Sequence, residues 1–245
     1  MANWNDPQQT RPGPGVSPTI NGELMGAGTV FDAGLRKHML GIYNYMASGV
    51  LLSGIVALLF ARSGLALQMV NSPLKWLVIL APLAFIFMMN FNRSEGTLKL
   101  MFWAFCTIMG LSLSTIFLVY TASSIASTFF ATAAAFAGLS LFGYTTKKSL
   151  SGMGSFMIMG LIGIIVAMVI NLFLQSSALT LAISILGVII FAGLTAWDTQ
   201  RLKLQYAELQ GTEFAGKAII LGALTLYLDF VNMFQFLLSF LGNRD

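Results

Sequence analysis

Seven stretches of apolar sequence, at 39–61, 74–91, 98–120, 122–144, 153–174, 178–199 and 217–241, divide this chain almost from end to end. Each is close to the ~20 residues that a helix needs to cross the hydrocarbon of a bilayer. Inside lipid only helices and closed barrels satisfy their own backbone hydrogen bonds, and barrel strands would be shorter and would alternate in polarity. The pattern therefore predicts an all-α, polytopic membrane protein. The third and fourth stretches nearly touch at Tyr120 and Thr121, and only Gln175, Ser176 and Ser177 part the fifth from the sixth. Both pairs read as tight hairpins. Seven transmembrane helices is the favoured count, with six as the alternative.

Charge supports this reading. Hydrophobic residues make up 57% of the chain and charged residues 9%, against about 25% in a soluble domain. The net charge of +4 does not point to nucleic acid, because the basic residues lie singly or in pairs between apolar runs. With the N-terminus in the cytoplasm, the inner segments hold Arg11, Arg36, Lys37, Arg93, Lys99, Lys147, Lys148, Arg201, Lys203 and Lys217, ten of the 13 basic residues. The positive-inside rule then places the C-terminus outside. A bacterial inner membrane suits the short loops.

Residues 1–30 open with MANWNDPQQTRPGPGVSP and read as a disordered polar tail, leaving 31–245 as the seven-helix transmembrane domain. No apolar core of a signal peptide stands near the start. Cys106 reads as a small packing residue and His38 as a solvated interfacial one. No His/Cys cluster suggests zinc, haem or an iron–sulfur centre, so no cofactor is expected. Ala122, Ala126, Ser127, Ala131 and Ala135 recur near four-residue spacing in the fourth stretch, a face suited to close helix packing.

An ionisable group inside a span is costly and is read first as functional. Two acids qualify, Asp198 in AGLTAWDTQRLK and Asp229 in ALTLYLDFVNMFQFLL. Asp229 is twelve residues from Lys217 and twelve from Leu241, about 18 Å from either at the helical rise, hence near mid-membrane. Asp198 looks shallower, toward the inner end of its span. If the carboxyls meet, they share a proton and titrate as a pair. The plainer readings are a bundle-gluing hydrogen bond at Asp229 and a hydrated interfacial acid at Asp198. Arg93 is either a positive-inside anchor or a gating cation that approaches the pair. Tyr227 and Asn232 flank Asp229 and are candidates for supporting hydrogen bonds, with Asn232 on the more similar face.

The segments GLTAWDTQRLK and LTLYLDFVNMFQFLL, with FGYTTKKSLSGMG between the fourth and fifth stretches, resemble the transmembrane Bax inhibitor motif family, from about Phe31 onward. The resemblance implies seven helices with the last at the centre. It implies a pH-sensitive calcium leak in which Asp198 and Asp229 form the hydrogen-bonded, weakly calcium-binding pair, with the switching arginine at or beside Arg93. The family's occasional acidic residue in the second span has no counterpart in LKWLVILAPLAFIFMMN. Some bacterial relatives restrain a membrane-embedded ATP-dependent protease, so an interaction protein modulating such a protease is the alternative function. An enzyme is not expected. An intramembrane aspartyl protease would share one proton between two acids, but GxGD-type context is missing at both. A retinal photoreceptor would need a lysine within the last span. Stress response is the physiological setting the resemblance suggests.

Overall fold

The computed structural model describes residues 20–243, with side chains described from Ala33 onward apart from Ile79. Among the described residues the structure is helical and contains no β-strand. The helices are α1 (Ile20–Arg62), α2 (Leu65–Val70), α3 (Leu74–Met88), α4 (Glu95–Leu113), α5 (Ala122–Thr145), α6 (Ser151–Leu174), α7 (Ser177–Leu209) and α8 (Ala215–Leu241), with a 3₁₀ turn over Ser114–Leu118. The chain forms two compact units, Met1–Lys37 and His38–Asp245. In the first, α1 begins at Ile20, inside the segment read as tail; the prolines that forbid helix stop at Pro18. The tail reading for residues 1–19 lies outside the described residues. The second unit holds the rest of α1 and all of the later helices.

Hydroxyl caps mark where helices start. Ser94 Oγ accepts from Thr97 N at 3.2 Å, Thr121 Oγ1 from Ser124 N at 3.2 Å, and Ser176 Oγ from Leu179 N at 3.3 Å. Each satisfies an amide that the first helical turn leaves without a partner. The α6–α7 hairpin is as tight as its sequence requires. Gln175 takes a left-handed conformation at φ 49°, Asn171 Oδ1 accepts from Ser176 N, and Asn171 Nδ2 donates to Thr180 Oγ1.

Among the described residues, six helical segments are long and apolar enough to cross a membrane. The second predicted span is different: α3 has 15 residues and contains Pro82. At 1.5 Å per residue it covers about 22 Å, short of a ~30 Å hydrocarbon core. Proline removes one backbone donor and weakens the turn around it. Even so, α2 packs against the 3₁₀ turn after α4, while Phe91, just past α3, meets Phe214 before α8. The chain through α3 thus runs from one end of this unit to the other.

Helix α8 is the most enclosed: 61% of its most apolar window is buried, against 39% for α7 and 6% for α6. It packs on α4, α5 and α7, and Gly222 lets Ile42 of α1 and Leu202 of α7 approach its backbone. The packing face of α5 has the expected four-residue repeat on a different side. Ser124, Thr128, Thr132, Phe136 and Ser140 are buried, and the predicted Ala122, Ala126, Ser127, Ala131 and Ala135 are exposed. A threonine can turn its hydroxyl back on its own helix, as Thr132 Oγ1 does to Thr128 O at 2.8 Å, and then packs like an apolar residue.

Candidate functional site: a buried carboxyl pair on α7 and α8

Helices α7 and α8 are antiparallel neighbours joined by the short segment 210–214. Asp198 lies eleven residues before the end of α7, and Asp229 fourteen residues after the start of α8. Along the helix axes these offsets are about 16 and 21 Å from the shared turn, so the two acids stand at nearly one level. The apparent depth mismatch arises from ending the sixth span at residue 199. The helix continues to Leu209, and both acids sit well inside the pair of helices.

Asp198 is 5% exposed and Asp229 4%. Their carboxyls lie within hydrogen-bonding reach of each other. Asp198 Oδ1 and Asp229 Oδ2 are dry, and neither accepts a hydrogen bond within the protein. Two ionised carboxylates cannot face each other in such a place without a proton or a cation between them.

The residues around Asp198 each have a traceable job. Trp197 lies where Gly154 of α6 leaves room; a Cβ there would run into the indole. Gly143 of α5 plays the same part against the backbone, where a Cβ would collide with Ala196 O. Thr199 Oγ1 is 2.9 Å from Ser140 Oγ, which is 2.5 Å from Tyr43 Oη, so three hydroxyls link α7, α5 and α1. Gln200 clamps the α5–α6 loop: Oε1 accepts from Leu150 N at 2.8 Å and Nε2 donates to Lys148 O at 2.9 Å. Lys203 Nζ donates to Tyr144 O at 2.8 Å, near the end of α5, where the helix dipole favours a cation.

The cation beside the pair is Arg201. Its Nη2 is 2.7 Å from Asp198 Oδ1, and its guanidinium lies 4.8 Å from the Trp197 ring centre. The approach to Oδ1 is an ion pair without the alignment of a hydrogen bond, which is how that oxygen can be both paired and unbonded. Arg93 is exposed on the α3–α4 loop, its backbone N–H donating to Asn90 O.

The two predicted supporting residues point elsewhere. Tyr227 is wholly buried and its hydroxyl is 2.6 Å from Ser53 Oγ of α1, which also lies 2.7 Å from Cys106 O of α4. It ties three helices together two residues from Asp229. Asn232 Nδ2 donates to Leu228 O of its own helix at 2.8 Å. His38 is 5% exposed, its ring 5.2 Å from that of Tyr206, and is not the solvated residue expected. Cys106 is buried, as its apolar setting implied.

Sequence reading passed over Ser53, Gln200 and Arg201 as site residues. For Arg201 a signal existed, since a basic residue three positions after a buried acid shares its helical face. For Gln200 the partners are backbone groups some fifty residues away, and for Ser53 they include the Tyr227 hydroxyl and Cys106 O on other helices, which no local pattern reveals. Among the described residues, no three His, Cys, Asp or Glu side chains gather as a metal-binding group.

Over residues 35–245 the chain matches the family described as inhibitor of apoptosis-promoting Bax1. It belongs to the Bax inhibitor family. Its similarity to bacterial members runs nearly the full length of both partners. An uncharacterized protein of Caulobacter vibrioides is 49% identical, covering 87% of this chain and 92% of its own. An uncharacterized protein of Rickettsia prowazekii is 44% identical over 87% and 92%. The inner membrane protein YbhL of Escherichia coli is 44% identical over 86% and 94%. The chain is therefore an integral membrane protein of the Bax inhibitor family, and the carboxyl pair lies inside the matched region.

Proposed function

We propose that this protein is a pH-sensitive cation leak, with Ca²⁺ as the permeant ion and the Asp198–Asp229 pair as both binding site and proton switch. The observation that carries the proposal is the pair itself: two facing carboxyls, dry, at one level inside two long apolar helices. Pairing Asp198 with Arg201 leaves one excess negative charge when both acids are ionised, and a single shared proton cancels it. Singly protonated, the site has no net negative charge with which to hold a cation. Deprotonated, it offers hard carboxylate oxygens, which Ca²⁺ prefers, with water and backbone carbonyls completing the six to eight ligands it takes. Few fixed charges make a weak site, as passage requires. The role is conduction, without catalysis or a resident cofactor.

The reading includes seven crossings, with α3 as a short one, the N-terminus cytoplasmic and the C-terminus outside. The end-to-end course of α3 supports the count. Arg93, Lys147, Lys148, Arg201, Lys203 and Lys217, all toward the ends joined by the 89–94, 146–150 and 210–214 segments, support the orientation. An inner membrane location follows by likeness to YbhL.

Ca²⁺ flux into liposomes holding the purified protein tests the proposal at two pH values. Flux rises as pH rises, because the shared proton leaves. Asp229→Asn removes the charge and the pH dependence together. Flux by Asp229→Asn equal to wild type at both pH values would dispose of the mechanism.

A further inference from the structure

A cavity of about 560 Å³ opens between the ends of α7 and α8 nearest their shared turn. Gln200, Arg201, Gln205, Glu208 and Thr225 are among its walls, set beside apolar ones such as Trp197 and Leu221, so several polar groups reach into one recess. Thr225 stands one helical turn before Asp229. Arg201 belongs to both places: its side chain is 49% exposed, and its guanidinium reaches Asp198, whose Oδ1 is dry. Arg201 lines the cavity and Asp198 does not, so the guanidinium is the group that both share.

We propose that Arg201 is a tethered cation plug, occupying at Asp198 the position a permeant ion must take, and that the α7–α8 cavity is the water-filled entry from which a divalent cation displaces it. This inference rests on the cation-leak reading above and adds its regulation. Three features support it. The contact is an ion pair without hydrogen-bond alignment, so releasing it sacrifices no directed bond. The Arg201 side chain is already half exposed and can turn into the cavity it lines. The plug sits on the same helix as the acid it covers, one turn on, so opening is a side-chain rotation that moves no helix. Trp197, held against Gly154, gives the guanidinium a fixed surface in the closed position. Charge then sets valence. With Arg201 engaged, the ionised pair carries one net negative charge; with Arg201 turned away it carries two, the match for a divalent ion.

The test combines flux with an independent probe of access. Arg201→Gln raises Ca²⁺ flux about two- to fivefold, the size expected for loss of one half-exposed ion pair. Arg201→Lys restores the charge and returns flux to near wild type, which a folding defect at this position would not do. In a Cys106→Ala background carrying Thr225→Cys, a membrane-impermeant cationic thiol reagent labels residue 225 faster when Arg201→Gln is added. If Arg201→Gln leaves both flux and labelling unchanged while Asp229→Asn still abolishes flux, the plug is wrong and the leak reading stands. If wild type, Asp229→Asn and Arg201→Gln are alike without Ca²⁺ flux, the leak reading falls and takes the plug with it.

Discussion

The hydroxyl pair of Ser53 and Tyr227 gives a stability test whose asymmetry can be worked out in advance. Both side chains are buried, at 1% and 0% exposure, and their oxygens are 2.6 Å apart. Ser53 Oγ also lies 3.0 Å from Gly49 O and 2.7 Å from Cys106 O. Serine has one proton to give, and the two carbonyls can only accept, so Tyr227 is the donor to Ser53. Tyr227→Phe removes that donor and strands nothing, since Ser53 keeps its carbonyls. Its ring contacts with Phe102 and Phe105 survive. The cost is then one buried hydrogen bond, about 0.5–1.5 kcal/mol. Ser53→Ala instead leaves the phenol hydroxyl dry and without a partner, at about 1–3 kcal/mol. The double variant has no stranded group and costs no more than Ser53→Ala alone, so the pair is coupled by about 1 kcal/mol. Unfolding in detergent–lipid micelles by increasing dodecyl sulfate, followed by tryptophan fluorescence, measures all four corners of the cycle. Equal single-variant costs that simply add would refute the assignment of donor and acceptor.

Gly143→Ala drives a methyl into Ala196 O, a backbone atom that cannot rotate aside; about 1–3 kcal/mol of destabilisation is expected, with Ca²⁺ flux falling as α5 pushes α7 from its place beside Asp229. A variant that matches wild type in micellar unfolding and in flux would show that the α5–α7 contact is slack. Gln200→Ala frees Leu150 N–H and Lys148 O, so hydrogen exchange at 148–150 accelerates by about tenfold or more if each buried bond is worth its usual ~1 kcal/mol. Unchanged exchange there would mean the loop is held without the clamp. Arg93→Gln leaves Ca²⁺ flux within about twofold of wild type, because an exposed charge outside the pair is screened; a large change would return the gating role to the α3–α4 loop.

Much of the architecture is written in the apolar runs, because length and hydropathy alone decide what crosses lipid. The two acids stood out for the same reason: a carboxyl amid LTLYLDFVN is too costly to be incidental. What periodicity left open was facing. On α5 the four-residue repeat was visible, yet alanines suggested one side and the hydroxyl residues pack on another, since a threonine that bonds its own carbonyl has no outward sign of doing so. Tyr227 was singled out for its nearness to Asp229 in sequence, but two residues along a helix turn a side chain through about 200°, and its partner is Ser53, 174 residues away. The length of α7 was hidden by the polar residues after Asp198, which are helical because Gln200, Arg201 and Lys203 find partners on neighbouring elements or on the helix itself.

The far end of α8 is fastened as well as its middle. Asn243 O accepts from Thr121 N at 3.2 Å, Asn243 N donates to Ser124 Oγ at 3.0 Å, and Gly242 leaves room for the Tyr120 ring. From Leu241 back to Asp229 is one unbroken helix twelve residue steps long, a stiff rod of about 18 Å. A bulky reporter joined just beyond this knot, or a ligand that prises it open, would load that rod lengthwise and be felt at the acid. Residue 243 is in that sense a lever arm, and fluorescent fusions placed there are perturbations of the protein they are meant to watch.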